Sequence, residues 1–320
     1  MHAKPTVLVL MGGPDAERPV SLMSGHQVAE ALRRGGRFQV IEQVVQRPTA
    51  PMLRICGGEV VFPVLHGHWG EGGPLQEILQ ELGLPYVGSP PRAAALAMDK
   101  LATKQILATN GVRVPPDCRL EPGDRCRLSP PLVLKPIDEG SSVDLYICRS
   151  RQEVAAARAL LHPKRGALLA ERYIEGREVT VGVLGSGALP LIEIIPAATF
   201  YDYQAKYHRA DTRYVIDPPL GPGVTRECTH VALEAFGRLG CRDVARVDFI
   251  VNETGPWFLE LNTMPGFTSH SLLPMAAARH GLDMPRLCET LVEAALARGG
   301  AAPQEPLAAA TVIAGLWGDQ

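Results

Sequence analysis

Near the C-terminal end, apolar positions alternate one for one with other residues in two runs, Ala245 to Val251 and Trp257 to Asn262, separated by Asn252-Glu253-Thr254-Gly255-Pro256. A period of two, interrupted by turn-forming residues, predicts a β-hairpin. Side chains in a strand alternate between faces, so Arg246, Asp248 and Ile250 share one face of the first run, and Phe258, Glu260 and Asn262 share one face of the second. If the five residues Asn252 to Pro256 form the loop, Asp248 lies opposite Glu260 and Arg246 opposite Asn262. Earlier in the chain, Thr6 to Met11 predicts a strand running into Gly12-Gly13, and Val20 to Leu32 has helical periodicity. That is how an α/β domain begins. Phe38 to Val45, Val60 to Leu65 and the short Leu84 to Val87 predict further strands, and Pro74 to Leu82 a helix with proline in its first turn.

Beyond the punctuation Gly88-Ser89-Pro90-Pro91, which marks a domain boundary, a long helix is predicted from about Arg92 to Thr109. Pro130 to Lys135 predicts a strand, Ser150 to Leu161 an Ala-rich helix and Ala167 to Ala170 a buried strand. Arg177 to Leu184 and Ala188 to Ile195, joined by Gly185-Ser186-Gly187, predict a second hairpin. Residues 199–220 are aromatic and charged without periodicity, the pattern of a long functional loop. Helices are predicted over Thr225 to Leu239, Ser271 to His280 and Met284 to Ala297. The last stretch, 301–320, has no assigned role.

Length and charge narrow the possibilities. A chain of 320 residues exceeds what one core usually holds. A formal net charge of -2 gives no global basic field for nucleic acid or an acidic membrane. No apolar run is long enough to span a bilayer, and the N-terminus has no secretory apolar region, so a cytoplasmic protein is expected. The seven cysteines are scattered without C-x-x-C spacing and fit reduced packing residues.

Chemistry enters with the carboxylate pair. Like charges directly opposite destabilise a sheet, so something positive belongs between Asp248 and Glu260. With the Asn262 amide beside them, the donors are hard oxygens of the kind Mg²⁺ prefers. A charged solvent face is the ordinary alternative, but it leaves the next residues unexplained. Thr263 to Leu272 forms a glycine loop leading to a helix start with Ser at the cap, where backbone N–H groups can hold an anion. His66 and Glu71, in the loop after the third predicted strand, lie where open α/β sheets bind ligands. Lys135 precedes Asp138-Glu139-Gly140-Ser141-Ser142, a glycine-serine lid suited to phosphates but unlike the Walker pattern. Lys100 and Lys104 on the long helix fit a solvated face.

Taken together, GGPDAERPVS, HGHWGEGG, LAMDK, LKPIDEGSSV, FYDYQAKY, RVDF and LELNTMPGFTSHS, in that order, resemble the D-alanine:D-alanine ligases of the ATP-grasp superfamily. The resemblance implies an α/β (in part α+β) chain of three domains. These are an N-terminal open-sheet substrate domain over residues 1–92, a central lid domain over 93–178, a catalytic domain over 179–300, and a tail over 301–320. It implies ATP between the last two domains, two Mg²⁺ or Mn²⁺ ions, and a homodimer. In the implied reaction a D-alanine carboxylate takes the γ-phosphoryl group and a second D-alanine amine attacks the acylphosphate, for peptidoglycan precursor synthesis.

By the same resemblance Asp248, Glu260 and Asn262 are metal ligands, and Lys100, Lys135 and Lys206 contact phosphates. Ser141 and Ser142 lie on the lid, and Glu171, Arg172 and Glu178 at the adenosine. Arg246 and the Gly266 N–H hold the oxyanion, Glu17 and His66 meet the first D-alanine, and Ser271 with Leu272 meets the second carboxylate. Glu17, Ser141 and Tyr207 match a triad linking three segments. The chain departs from the family pattern at Arg172, where lysine is expected, at Asp144, where glycine is common, and at Pro19 and Trp69. Another ATP-grasp carboxylate-amine ligase, a D-alanine:D-lactate ligase and a catalytically silent nucleotide-binding protein are the alternatives. The residues at Glu17, His66, Tyr207 and Ser271 favour D-alanine over the first two.

Overall fold

Val7 to Met11 of β1 (Thr6–Gly12) are wholly buried, as a central strand covered on both faces requires. In the computed structural model, which describes residues 3–140, 143–196 and 212–300, β1 lies between β2 (Gln39–Val45) and β3 (Val60–Val64), parallel to both. The predicted strand at 84–87 is a single parallel bridge, Tyr86 to Val61. Val7, Val9 and Met11 pack on α1 (Arg18–Gly35) and on the last described helix, α10 (Met284–Arg298). Leu8 and Leu10 turn the other way, onto α2 (Ala50–Ile55) and α4 (Pro74–Glu81), with the short α3 (Gly67–Glu71) before it.

The helix expected over 92–109 is two. α5 (Pro91–Met98) ends at Asp99, whose extended backbone (ψ 99°) breaks the periodicity, and α6 (Lys100–Ala108) starts anew. The Asp99 carboxylate causes the restart by accepting from the Leu101 and Ala102 N–H groups at 3.0 Å, as a cap does. The break turns Lys100 and Lys104 inward: both are buried, where a solvated face was expected.

Two antiparallel sheets follow. The first orders β4 (Asp117–Leu120), β7 (Leu168–Arg172), β5 (Leu132–Pro136) and β6 (Tyr146–Cys148). Alternation splits its faces: Leu120, Leu132, Leu134, Leu168 and Ala170 pack on α7 (Arg151–Arg165), while Asp117, Lys135 and Glu171 sit at odd positions on the opposite face. The second sheet, among the described residues, orders β11 (Arg213–Ile216), β10 (Ile192–Ile195), β8 (Arg177–Leu184), β12 (Val244–Asn252) and β13 (Gly255–Asn262), with β9 (Gly187–Ala188) on β8. Its apolar face packs on α6 and on α8 (Pro222–Arg238), and α9 (Leu272–Arg279) leads to α10.

Three expectations change in this sheet. The arm predicted as Ala188 to Ile195 is split into β9 and β10 around Pro190, which has no N–H to give to the ladder. Arg213–Ile216, inside the stretch expected to be irregular, is a strand on β10. In the C-terminal hairpin Asp248 does face Glu260, but the connection is tighter than five residues. Asn252 already pairs with Gly255, and a bulge after Asp248 absorbs the difference. The bulge reverses the phase, so Phe258 lies against Phe249 in the core and does not share the face of Glu260.

The segment at Gly88 is held by a buried ionic knot. Asp243, 4% exposed, accepts from the Gly88 N–H at 2.8 Å and from two nitrogens of Arg298 at 2.7 and 2.9 Å. Arg298 also donates to the Tyr86 carbonyl at 2.8 Å. Arg242 donates to the Gly88 carbonyl at 2.6 Å with its guanidinium 4.5 Å from the Tyr86 ring centroid. All seven thiols are free, and no described helix is long and apolar enough to cross a membrane.

Candidate active site

A cavity of about 610 Å³ opens where the N-terminal loops meet the C-terminal hairpin, and a smaller one of about 120 Å³ lies between the two antiparallel sheets. Lys100, Glu178, Asp248 and Glu260 line both, so the two adjoin at these side chains. Glu17, His66, Arg246, Asn262, Gly266, Ser271 and Leu272 line the larger part, and Lys135, Glu171 and Arg172 the smaller. Ser141, Ser142, Lys206 and Tyr207 lie outside the described residues.

The centre of this space is the carboxylate pair across β12 and β13. Asp248 is 6% exposed and is held from two sides. Arg246 donates to it through Nε at 2.9 Å and Nη2 at 2.8 Å, and the Thr180 hydroxyl donates at 2.6 Å. Lys100 Nζ is 3.4 Å from Glu260 and donates to the Glu139 carbonyl at 2.5 Å. The positive charge expected between the carboxylates is thus supplied from the flanks. The Asn262 side-chain oxygen accepts from the Met264 N–H at 3.0 Å, which fixes its direction and leaves a second lone pair. Two opposed carboxylate groups and an amide oxygen on one cavity wall make a hard-oxygen donor set that fits Mg²⁺ or Mn²⁺.

A second carboxylate pair was not foreseen. Asp117 and Glu171 face each other across β4 and β7, and the chain fills the gap itself with Lys104. Its ammonium is 3.6 Å from Asp117 and hydrogen-bonded to Glu171, whose other oxygen is 2.6 Å from Lys135 Nζ. Burial pulls the Lys135 ammonium well below the usual lysine value, with neighbouring Lys104 adding to the effect. Burial likewise lowers Lys104, to about 8, against the attraction of Asp117. One signal for Lys104 was present: it lies four residues after Lys100, on the same side of a helix.

At the N-terminal wall, Glu17, His66 and Glu71 are all at least nine-tenths buried. The Gly67 N–H donates to one Glu71 oxygen at 2.9 Å, while the other and His66 Nε2 have no hydrogen-bond partner among the described residues. Two orphaned buried polar atoms at a cavity wall are what a polar ligand satisfies. Burial raises the Glu71 carboxyl well above the usual range, with Glu17 adding to it, and burial lowers His66 against the pull of Glu17. A raised native pKa means that folding takes up a proton, so this part of the stability is complete below the ordinary carboxyl value, about 4.5, and is lost as pH rises towards the native one. Glu71→Gln, an isostere without the ionisation, is therefore expected to gain melting temperature relative to wild type at pH 8 but not at pH 4.5. Parallel pH curves for the two proteins rule this out.

The loop after β13 is anchored from α1: the Phe267 N–H donates to Ser24 Oγ at 3.1 Å and the Ser269 N–H to Gln27 at 2.7 Å. A Cβ at Gly266 would stand 2.8 Å from Ser271 Oγ, so a side chain there would displace the Ser271 hydroxyl. Ser271 occupies the cap position as expected, but its hydroxyl takes the Thr268 N–H at 3.0 Å, not a helix amide.

Residues 123–293 match the family model described as D-ala D-ala ligase C-terminus. The D-alanine–D-alanine ligase of Syntrophotalea carbinolica is 41% identical over 295 residues, covering 91% of this chain and 96% of that protein. That of Bordetella pertussis is 43% identical over 297 residues, covering 89% and 93%. Among solved structures, D-alanine–D-alanine ligase from Bacillus anthracis complexed with ATP superposes with a TM-score of 0.81 at 29% identity, covering 92% of this chain and 98% of that one. The ligase from Coxiella burnetii gives 0.78 at 27% identity, covering 92% and 94%.

Proposed function

The chain belongs to the D-alanine–D-alanine ligase family, and from that premise we propose that its cleft joins two D-alanines with ATP, releasing ADP and phosphate, to supply a peptidoglycan precursor. The observation that carries the reading is that Lys100, Glu178, Asp248 and Glu260 line both cavities, which sets the slot between the two antiparallel sheets beside the chamber lined by Glu17, His66 and Arg246. In this reading Lys135, Glu171, Arg172 and Glu178 receive the nucleotide, and Ser141, Ser142 and Lys206 add contacts to its phosphates. Asp248, Glu260 and Asn262 would hold two Mg²⁺ or Mn²⁺ ions, which neutralise phosphate charge when bound. A cytoplasmic site of action, where ATP is available, and a homodimer belong to the same proposal.

The chain's own groups then divide the work. The first D-alanine is received beside Glu17 and His66, whose orphaned Nε2 offers a polar contact. Its carboxylate attacks the γ-phosphorus in line, and ADP leaves. Lys100 and Lys135 stabilise the transferring charge, since positioning and electrostatics carry most of phosphoryl transfer. The carboxylate of the second D-alanine is received at Ser271 and Leu272. Its amine, freed of a proton, attacks the acyl carbon; Arg246 and the Gly266 N–H take the charge on the tetrahedral oxygen, and phosphate departs. Glu17, Ser141 and Tyr207 tie the closed loops together and keep water from the acylphosphate.

The test is a coupled ADP-release assay with D-alanine, L-alanine or D-lactate, followed by product separation. D-alanine alone is expected to support turnover, and equal D-alanine and D-lactate at pH 7 to give mostly dipeptide. Ester as the major product, or equal turnover on L-alanine, overturns the proposal.

A further inference from the structure

The two carboxylate pairs differ in what neutralises them. Asp248 and Glu260 face the cavity, whereas Lys104, between Asp117 and Glu171, lines neither cavity and is 2% exposed. It is therefore walled off from both cavities as the described residues form them. Glu171 is shared: one oxygen is bound by Lys104 and the other by Lys135, at 2.6 Å from Lys135 Nζ. Lys135 and Glu171 both line the smaller cavity, so the second oxygen is the one a ligand can reach.

Lys135 has three N–H donors to divide between Glu171 and a nucleotide phosphate. When its ammonium turns to a phosphate, the oxygen it leaves faces the ligand, and a buried carboxylate with no remaining cation would take up a proton. Lys104 prevents that from behind, because its bond to the other oxygen is out of the ligand's reach. An ionised carboxylate is acceptor-only, so it favours a donor such as an exocyclic amine over a ring carbonyl. We infer that Lys104 is a positioning residue for base selection, keeping Glu171 an ionised acceptor for the 6-amino group of adenine while Lys135 is engaged elsewhere. The inference rests on Glu171 meeting the adenosine, as proposed above.

The experiment compares ATP with ITP, which carries a 6-oxo group, in wild type, Lys104→Met, Glu171→Gln and the double variant. Loss of a buried charged hydrogen bond predicts that Lys104→Met raises KM for ATP about tenfold and lowers the ATP-to-ITP ratio of kcat/KM by a similar factor. Its kcat at saturating ATP should fall less than about threefold, and KM for D-alanine should hold. If Lys104 acts through Glu171, the Lys104 substitution has little further effect on the ratio in the Glu171→Gln background. Should Lys104→Met fail to fold, Lys104→Gln keeps a donor without the charge and permits the same comparison. A lowered ratio in Glu171→Gln with an unchanged one at position 104, or additive effects, overturns the role of Lys104 alone. An unchanged ratio in Glu171→Gln removes the adenosine contact and this inference with it.

Discussion

Glu260→Ala is expected to lose at least about 1,000-fold in turnover, the scale on which preorganised charge at a phosphoryl group matters. Glu260 contributes one of the two carboxylates proposed to hold the metal ions, and Glu171, on the wall of the smaller cavity, is already engaged by Lys104 and Lys135. The fold should tolerate the change. Removing Glu260 takes a partner from Lys100, 3.4 Å away, but the ammonium keeps the Glu139 carbonyl at 2.5 Å. It also relieves the repulsion between two directly opposed carboxylates. The melting temperature without nucleotide should therefore shift by no more than about 3 °C, since for large domains each kcal/mol moves it by about 2–4 °C. ADP release at saturating Mg²⁺ and a thermal melt are the two measurements. Wild-type turnover in this variant would falsify the metal assignment.

Arg298→Met should show the opposite pattern, a large loss of stability with the catalytic groups intact. Asp243 is held by two charged bonds from Arg298 and one backbone N–H, in a position almost closed to solvent. Breaking a buried pair from one side costs about 3–5 kcal/mol, and because Arg242 still feels the Asp243 charge the low end of that range is expected. Asp243→Asn added to Arg298→Met should recover part of it, because the remaining group is then neutral. A melting temperature within 1 °C or so of wild type in the single variant, on the scale of a few degrees per kcal/mol, contradicts the view of this knot as a stabilising unit.

How much could be seen in the sequence follows from how local each determinant is. The opposition of Asp248 and Glu260 was legible because strand alternation and one short connection fix it. Even there, the bulge was invisible, since absorbing one residue costs no change in pattern outside Leu259 and the turn. The buried state of Lys104 was not legible, because the break at Asp99 that rotates α6 depends on a side chain capping its own helix. Asp117 and Glu171 are opposed through a pairing more than 50 residues apart, roughly the separation at which periodicity carries no register. Gly266 and Ser271 were legible as a loop and cap; that the serine would bond Thr268 depends on the anchor from α1.

One consequence of the packing concerns the order in which the chain is made. The β1 face carrying Val7, Val9 and Met11 shares its core with Leu287, Leu291 and Ala295 of α10. Those covering residues leave the ribosome more than 200 positions after the strand they cover, which at about 5–20 residues per second is a delay on the order of 10 s or longer. Throughout that interval one side of the nascent parallel sheet has α1 but not its second helix. The N-terminal sheet is thus completed only once α10 has been made, and a ribosome stalled before residue 284 holds a chain with an open apolar seam, the feature chaperones and proteases engage.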